Sequence, residues 1–295
     1  MSKPLIALLP VLLFLTGAIA QAPKNLPDLK PDEIIARHVA SIGTPEAIGA
    51  VKSRVFAGQA RVTSRMGYVG QLLGQAQFAS AGDNILLAAV FNSNEYPYEK
   101  AAFNGKDVSV GRPNGAVTPF GDFIKANKAI VREGLFGGVM STAWPLLSKE
   151  SKLKFASAGT TEIGGRSFYK LKVSSGSLGD TKVILYFDAE NFHHVATEYT
   201  QIIAVGITRS TNPRPESDDF GTTTTTGTAN TKQTFMTFTE RFSNFEKSGE
   251  TVIPLTYVID YTYQDSNRGR SLNLEVRFQD VYLNQDLGLE VFKVS

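Results

Sequence analysis

Along most of the chain after residue 54, hydrophobic and polar residues alternate, which is the pattern of a β-strand with one buried face. The alternation is clearest in residues 54–64, 70–80, 255–263 and 271–279. Residues 84–92 form a continuous apolar strand instead. Further strands are predicted at 99–103 and 108–110 around an Asn104-Gly105 turn, from 154 to 175 around a Gly164-Gly165 turn, at 182–200 as a pair, at 232–242 and on to 283. The total is about ten or eleven antiparallel strands.

A helical period is present in two places. Apolar residues spaced three and four apart predict a helix from Pro31 to Ile42, which Gly43 ends, and a further short helix begins after Thr44. In the middle of the chain, Asp122 is a suitable N-cap for a helix over residues 123–133. Residues 134–147 then predict a second short helix that stops near Pro145.

A sheet with one polar and one apolar face must cover its apolar face. With this element order, the simplest solution is an α+β fold, in which a strongly curved antiparallel sheet forms an incomplete barrel and the helices lie in its concavity. We expect residues 32–295 to form this single domain.

The N-terminus predicts the compartment. An apolar run over residues 5–16 ends at small residues, which is typical of a signal peptide over residues 1–20 that is cleaved after Ala20. The alternative, an uncleaved anchor, is disfavoured because the run is short and contains Pro10. Residues 21–31 carry three prolines and predict a linker. We therefore expect a periplasmic or secreted protein that is not an integral membrane protein after cleavage.

Composition excludes several kinds of chemistry. The net charge of +2 and dispersed basic residues argue against nucleic-acid binding. With no Cys and three His, a metal site is not expected: His193 and His194 point to opposite faces of a strand, and His38 lies on the apolar side of its helix. No catalytic motif occurs, so neither an enzyme nor a cofactor is predicted. Residues 206–231, rich in Thr and Pro, predict a mobile loop.

Three segments resemble one family. They are the N-terminal helix "EIIARHVASIGTPEAIGAVKS" running into a strand, the hairpin "VILYFDAENFHHVATEY", and an ending in which Gly249 and Pro254 precede two long strands and "VYLN". In this element order the chain is similar to the periplasmic lipoprotein-carrier superfamily, which is LolA/LolB-like. The resemblance implies an open barrel with a hydrophobic cavity that receives acyl chains, and residues 122–147 as its lid and plug.

The stretch "GLFGGVMSTAWPLL", residues 134–147, has two interpretations. It either fills the core permanently or opens to admit an apolar guest. Its three glycines weaken a helix by about 1 kcal/mol each, and Met140 is deformable, which suits a segment that adapts. The small residues Gly58, Ala60, Gly74 and Ala76 likewise either leave space or allow close packing.

The leading hypothesis is therefore a non-enzymatic carrier or sensor that binds a lipid, or the acyl chain of a lipoprotein, in the apolar concavity. The alternative is an envelope protein-interaction scaffold or stress-sensor module of the same fold. The inward-facing aromatic and aliphatic residues either line the cavity or simply fill a large core. The candidate cavity and lid residues are Phe56, Val62, Leu72, Phe78, Phe91, Phe123, Leu135, Phe136, Met140, Trp144, Phe187, Phe238, Tyr257, Ile259, Tyr261, Leu274 and Val276.

Overall fold

The strands pair into one antiparallel sheet in the order β5-β4-β3-β2-β1-β12-β11-β10-β9-β8-β7-β6. The structure is a computed structural model that describes residues 26–66, 68–148, 151–204, 233–264 and 269–294. The predicted signal peptide 1–20, the first part of the predicted linker 21–31 and the predicted loop 206–231 lie outside the described residues.

The described part of the chain contains twelve strands and four α-helices. The strands are β1 Ser53–Met66, β2 Tyr68–Ala81, β3 Asn84–Phe91, β4 Tyr98–Phe103, β5 Val108–Val110, β6 Lys154–Ile163, β7 Arg166–Ser174, β8 Lys182–Asp188, β9 His194–Ala204, β10 Gln233–Ser248, β11 Thr251–Gln264 and β12 Gly269–Leu283. The helices are α1 Pro31–Ile42, α2 Pro45–Ala50, α3 Pro119–Ala126 and α4 Lys128–Arg132.

The sheet does not close, because β5 and β6 are its two edges and do not pair with each other. Almost every strand pairs with its neighbours in sequence; the exception is the pairing of β1 with β12, which joins the two ends of the chain. The predicted fold class, an incomplete barrel with helices, is confirmed. The twelve strands are slightly more than the ten or eleven predicted, and the short β5 lies where the Asn104-Gly105 turn predicts it.

Helix α1 begins at Pro31 and ends at Ile42, as predicted, and buries Ile34, His38 and Ile42. The chain just before it also contacts the core, since Leu29 is buried and Leu26 packs against the same cluster.

The predicted helix over residues 123–133 is wrong in its bounds. The helix begins earlier because Thr118, not Asp122, is the N-cap: its hydroxyl accepts a hydrogen bond from the N–H of Gly121 (3.0 Å), and Pro119 occupies the first helical position. Asn127 then leaves helical geometry, with φ −115° and ψ 46°, and separates α3 from α4.

The predicted short helix in residues 134–147 is also wrong. This segment holds two 3₁₀ turns, Gly138–Met140 and Pro145–Leu147, joined by irregular backbone. The physical reason is that Gly134, Gly137 and Gly138 all adopt positive φ (70°, 78° and 47°), which a right-handed helix does not allow.

A second, smaller apolar cluster lies on the opposite face of the sheet. There the C-terminal residues 287–294 cross the strands β1–β4, and Phe292 is fully buried among Val55, Ala79, Leu86 and Ala102. The backbone N–H of Val294 donates to the Ser109 hydroxyl (3.2 Å), which ties this segment to β5.

We expect Phe292→Ala to lower the free energy of unfolding by about 3 kcal/mol, because it removes a buried ring and leaves a cavity. Leu289→Ala, in the same 3₁₀ turn but 59% exposed, is the matched control and should change it by less than about 0.5 kcal/mol. Chemical denaturation measures both, and equal effects would contradict the packing described here.

Candidate functional site

Residues 134–147, hereafter the plug, fill the concave side of the sheet. The side chains of Leu135, Phe136, Val139, Met140 and Trp144 are each at most 1% exposed. Phe136 lies 6.2 Å from Phe120 and 6.4 Å from Phe238 between ring centroids. Trp144 stacks on His194 at 4.6 Å. The plug is therefore part of the main hydrophobic core.

Two glycines bring the plug backbone directly onto the concave surface. A Cβ added at Gly137 would lie 2.4 Å from the ring of Phe78, and one at Gly138 would lie 2.8 Å from the rings of His194 and Phe242. Because no side chain fits at either position, this part of the plug is closely packed against the sheet.

A buried carboxyl holds the plug from the sheet side. Glu240, on β10, accepts a hydrogen bond from the Gly137 N–H (2.7 Å) and others from the phenols of Tyr199 (2.8 Å) and Tyr257. Burial raises the pKa of Glu240 to about 7, while the three donors act in the opposite direction. The same burial raises the pKa values of both tyrosines, so these phenols stay neutral donors.

A buried guanidinium holds the plug two residues further on. Arg54, on β1, is 2% exposed and donates from Nη1 to the carbonyl of Val139. Its Nε has no hydrogen-bond partner in the described part of the chain. Burial lowers the pKa of Arg54 to about 10, which leaves it charged at neutral pH.

The neutral side chains of His38 and Ser80 bind the C-terminal half of the plug, at Trp144 and Thr142. The indole N–H of Trp144 donates to Nε2 of His38 (3.2 Å), and Nδ1 of His38 donates to the carbonyl of Phe192 (3.0 Å). Burial lowers the pKa of His38 to about 4, so the ring is neutral, as this pair of contacts requires. The backbone N–H of Thr142 donates to the Ser80 hydroxyl (3.0 Å).

The histidines have packing roles. His38 lies on the apolar side of α1, as the sequence predicts, and both of its ring nitrogens are hydrogen-bonded. His194 is buried beside Trp144 and contacts the Thr197 hydroxyl through Nε2 (2.9 Å), whereas His193 stacks on Phe245 at 4.2 Å. Within the described ranges, no group of His, Asp or Glu side chains is placed to hold a metal ion.

The structure brings the sequence-predicted cavity residues together in one cluster. All of them are buried except Leu72, which is partly buried and packs against the others. Their role in binding a ligand stays a prediction, because in this structure their side chains pack together in the core. Gly58 and Gly74 leave no space for a side chain: a Cβ at Gly58 would meet the Arg277 carbonyl at 2.0 Å, and one at Gly74 the Val90 carbonyl at 2.0 Å.

Sequence reasoning missed Glu240, Arg54 and Tyr199. A signal for the charged pair was present, since Glu240 alternates with Phe238 and Phe242 and Arg54 precedes Phe56 by two residues. Burying a charged side chain at an inward position of a strand costs free energy unless the side chain has a partner. Glu240 and Arg54 therefore each indicate a specific contact.

No protein-family model matches the chain, and no curated protein matches it in sequence. Similar solved structures include a LolA superfamily protein from Nitrosomonas europaea, with 13% identity, a TM-score of 0.43, and coverage of 90% of this chain and 99% of that one. An outer membrane lipoprotein-sorting protein domain from Vibrio parahaemolyticus has 12% identity, a TM-score of 0.41, and coverage of 88% and 94%. A DUF1329 family protein from Desulfovibrio piger has 8% identity, a TM-score of 0.41, and coverage of 90% and 98%.

A LolA superfamily protein and an outer membrane lipoprotein-sorting protein domain are thus among the structures similar to this chain, in line with the resemblance drawn from its sequence. Among the described residues, no helix combines the length and apolar character needed to cross a membrane.

The buried carboxyls of Glu240 and Glu99 should lower stability as the pH rises from 5 to 8, whereas the buried His38 and His194, whose pKa values are lowered, act in the opposite direction. Burial raises the pKa of Glu240 and of Glu99 from 4.5 to about 7, so their contribution is fully present below pH 4.5 and is lost as the pH rises through 7. Each carboxyl accounts for about 3 kcal/mol of this loss. We expect Glu240→Gln and Glu99→Gln each to make the slope of the thermal midpoint against pH more positive than in the wild type.

Glu246→Gln is the matched control, because Glu246 is exposed on the same strand as Glu240. It should leave the slope of the thermal midpoint against pH unchanged. A variant slope equal to that of the wild type would contradict the burial of the carboxyl that the variant replaces.

Proposed function

We propose that the protein binds a lipid, or the acyl chain of a lipoprotein, on the concave face of its sheet and carries or senses it in the periplasm without making or breaking a bond. The observation that carries the proposal is that this aromatic-rich face is covered in part by an irregular, glycine-containing plug. A guest would enter by taking the place of plug side chains.

The energies of the two occupants are comparable. Burial of a Leu, Phe, Val or Met side chain is worth about 2 kcal/mol, so Leu135, Phe136, Val139, Met140 and Trp144 together contribute on the order of 10 kcal/mol. An acyl chain of about 16 carbons gains about 0.8 kcal/mol per methylene, again on the order of 10 kcal/mol. Exchange of plug for guest is therefore close to balanced.

The plug is also attached in a way that allows release. Its contacts with the sheet and with α1 are side-chain packing and a few hydrogen bonds, to Glu240, Arg54 and Ser80 on the strands and to His38 on α1, and it is not a strand of the sheet. Releasing it would leave all pairings of β1–β12 intact.

A second candidate function is a protein-interaction module. It is favoured by the outer face of β1–β3, where Leu73 (69% exposed) and Val90 (53% exposed) lie beside a groove of about 610 Å³ lined by Gln59, Gln75 and Gln77. Exposed apolar residues next to a groove are typical of a surface that binds a partner. On this alternative, the plug would stay in place.

The single Trp gives a direct test of the carrier proposal, because Trp144 lies in the plug. Titration of delipidated protein with a long-chain fatty acid should change Trp fluorescence, and a fluorescent fatty-acid analogue should be displaced over the same concentration range. We expect Gly137→Ala to tighten the apparent affinity several-fold, because the clash with Phe78 raises the population of the open plug.

Gly159→Ala is the control for backbone strain, since both glycines have φ of 78° but a Cβ at Gly159 has no atom within 4 Å. It should bind like the wild type. Folded protein that binds no fatty acid, either as wild type or as Gly137→Ala, would overturn the carrier proposal and leave the interaction module.

A further inference from the structure

The two ends of the plug are held by groups that respond differently to acid. Near its start, the Gly137 N–H donates to the carboxyl of Glu240, which accepts this hydrogen bond in its ionised and in its neutral form. Near its end, the indole N–H of Trp144 donates to Nε2 of His38, which accepts only while that nitrogen carries no proton. Acid therefore removes the acceptor at one end of the plug and keeps the acceptor at the other.

His38 cannot bind a second proton while Trp144 is in place. Its Nδ1 already donates to the carbonyl of Phe192 (3.0 Å), so a further proton must bind to Nε2, where it would point at the indole N–H. Two N–H groups that face each other in the core repel, and each of them lacks an acceptor. Protonation of His38 is thus incompatible with the present position of Trp144.

No neighbouring group compensates a positive charge on His38. The ring is fully buried, and the ring centroids of Phe187 and His194 lie 5.2 Å and 6.2 Å from its own. None of the ion pairs of the described residues includes His38. Because a buried charge without a partner is costly, the charged ring is stable only if Trp144 moves away and water enters.

The titratable groups nearest to His38 do not favour its protonation in the closed structure. His193 lowers the pKa of His38, and a charge on His38 lowers the pKa of His194. Asp188 raises the pKa of His193 rather than that of His38. Arg37, the preceding residue of α1, is positive as well. A charge on His38 is therefore relieved by exposure to solvent and not by a carboxylate.

Uncharged groups hold the residue at which the end of the plug can turn. The N–H of Thr142 donates to the Ser80 hydroxyl (3.0 Å), and the hydroxyl of Thr142 donates to the carbonyl of Gly82 (2.8 Å). Beyond it, residues 143–147 carry no titratable side chain, and within the described ranges only Trp144 links them to another element by a side-chain hydrogen bond. Loss of this single bond therefore frees the segment after Thr142.

We propose that protonation of His38 expels Trp144, and with it residues 143–147, from between α1 and β9. The Gly137 end of the plug stays on Glu240, so acid opens the plug at one end only. The regulatory role of this opening rests on the proposed function: the open end is the entrance by which an apolar guest reaches the concave face, and acid promotes its entry.

The pKa of His38 sets the pH range and the size of the effect. Burial lowers this pKa to about 4 in the closed structure, against 6.5 for a solvated imidazole. The closed position of Trp144 is thus fully stable above pH 6.5 and loses stability as the pH falls towards 4. Between pH 7.5 and pH 5, the ratio of closed to open Trp144 should fall about 30-fold.

The single Trp of the chain makes the indole N–H a specific reporter. Its hydrogen-exchange rate is followed by NMR and compared with that of N-acetyltryptophan amide at the same pH, which gives a protection factor equal to the ratio of closed to open Trp144. We expect this factor to fall about 30-fold from pH 7.5 to pH 5. The backbone amides of β1 and β12 should not lose protection in parallel, because these strands stay paired.

His38→Gln keeps an acceptor near the position of Nε2 but cannot bind a proton in this pH range. Its protection factor for the indole N–H should be the same at pH 7.5 and pH 5. His193→Gln is the matched control, because His193 stacks on Phe245 rather than on the plug, and it should keep most of the fall.

A wild-type protection factor that is equal at the two pH values overturns this inference, whether or not either variant folds. An equal loss in the strand amides also overturns it, since acid would then unfold the whole domain. So does a fall that persists undiminished in folded His38→Gln.

Entry of a guest is measured separately with N-phenyl-1-naphthylamine, a lipophilic probe that stays uncharged in this range. The wild type should bind it several-fold more tightly at pH 5 than at pH 7.5. Equal affinities would overturn the regulatory role. If neither this probe nor a fatty acid binds at either pH, the proposed function fails while the acid opening of the plug stands, so the two failures are distinguishable.

Discussion

A curved antiparallel sheet with one apolar face is stable only if that face is kept from water, and in this protein the plug and helices α1 and α3 supply much of the cover. The concave side of β1–β12 presents many aromatic rings, among them Phe56, Phe78 and Phe238, all fully buried. The outer face meets the same constraint locally, where Phe292 covers β1–β4. Because the sheet does not close into a barrel, its two apolar surfaces depend on segments that are not strands.

The plug is held in one register by charged groups as well as by apolar packing. Glu240 and Arg54 lie in the core on strands from different parts of the sheet, and each contacts a backbone group of the plug rather than the other. Apolar residues at these two positions could stabilise the closed state more, since buried charges carry a desolvation penalty. They would not, however, distinguish one position of the plug along the concave face from another. Satisfying an N–H at Gly137 and a C=O at Val139 does so.

Much of the fold could be predicted from the sequence because alternation decides which face of a strand is buried. The inward positions of β1, β2, β11 and β12 follow this rule, and so does the helical stripe of Ile34, His38 and Ile42 in α1. The middle of the chain could not be predicted, because its geometry depends on contacts distant in sequence. For example, the rings of His194 and Phe242 leave no room for a side chain at Gly138, and these rings meet Gly138 only in the folded protein.

The candidate site was predicted only in its apolar part for a related reason. Counting hydrophobic residues identifies Phe238 and Tyr257, but it passes over Glu240, which lies between two phenylalanines of the same face. An inward-facing charged residue is recognised as part of the site only when its hydrogen-bond partners are identified. For Glu240 the answer is two tyrosines, one on β9 and one on β11, together with a backbone N–H more than a hundred residues earlier.

The plug lies in the part of the chain that connects the two free edges of the incomplete barrel. The two edge strands of the sheet, β5 and β6, are consecutive in sequence, and the chain between them runs through α3, α4 and the plug. The segment that covers the concave face is therefore also the tether between the two free edges. Its covalent links to both edges remain when it leaves the concave face. Occupancy of the concave face and separation of the edges are thus coupled by connectivity, and a guest that replaces the plug would alter the rim of the sheet as well as its interior.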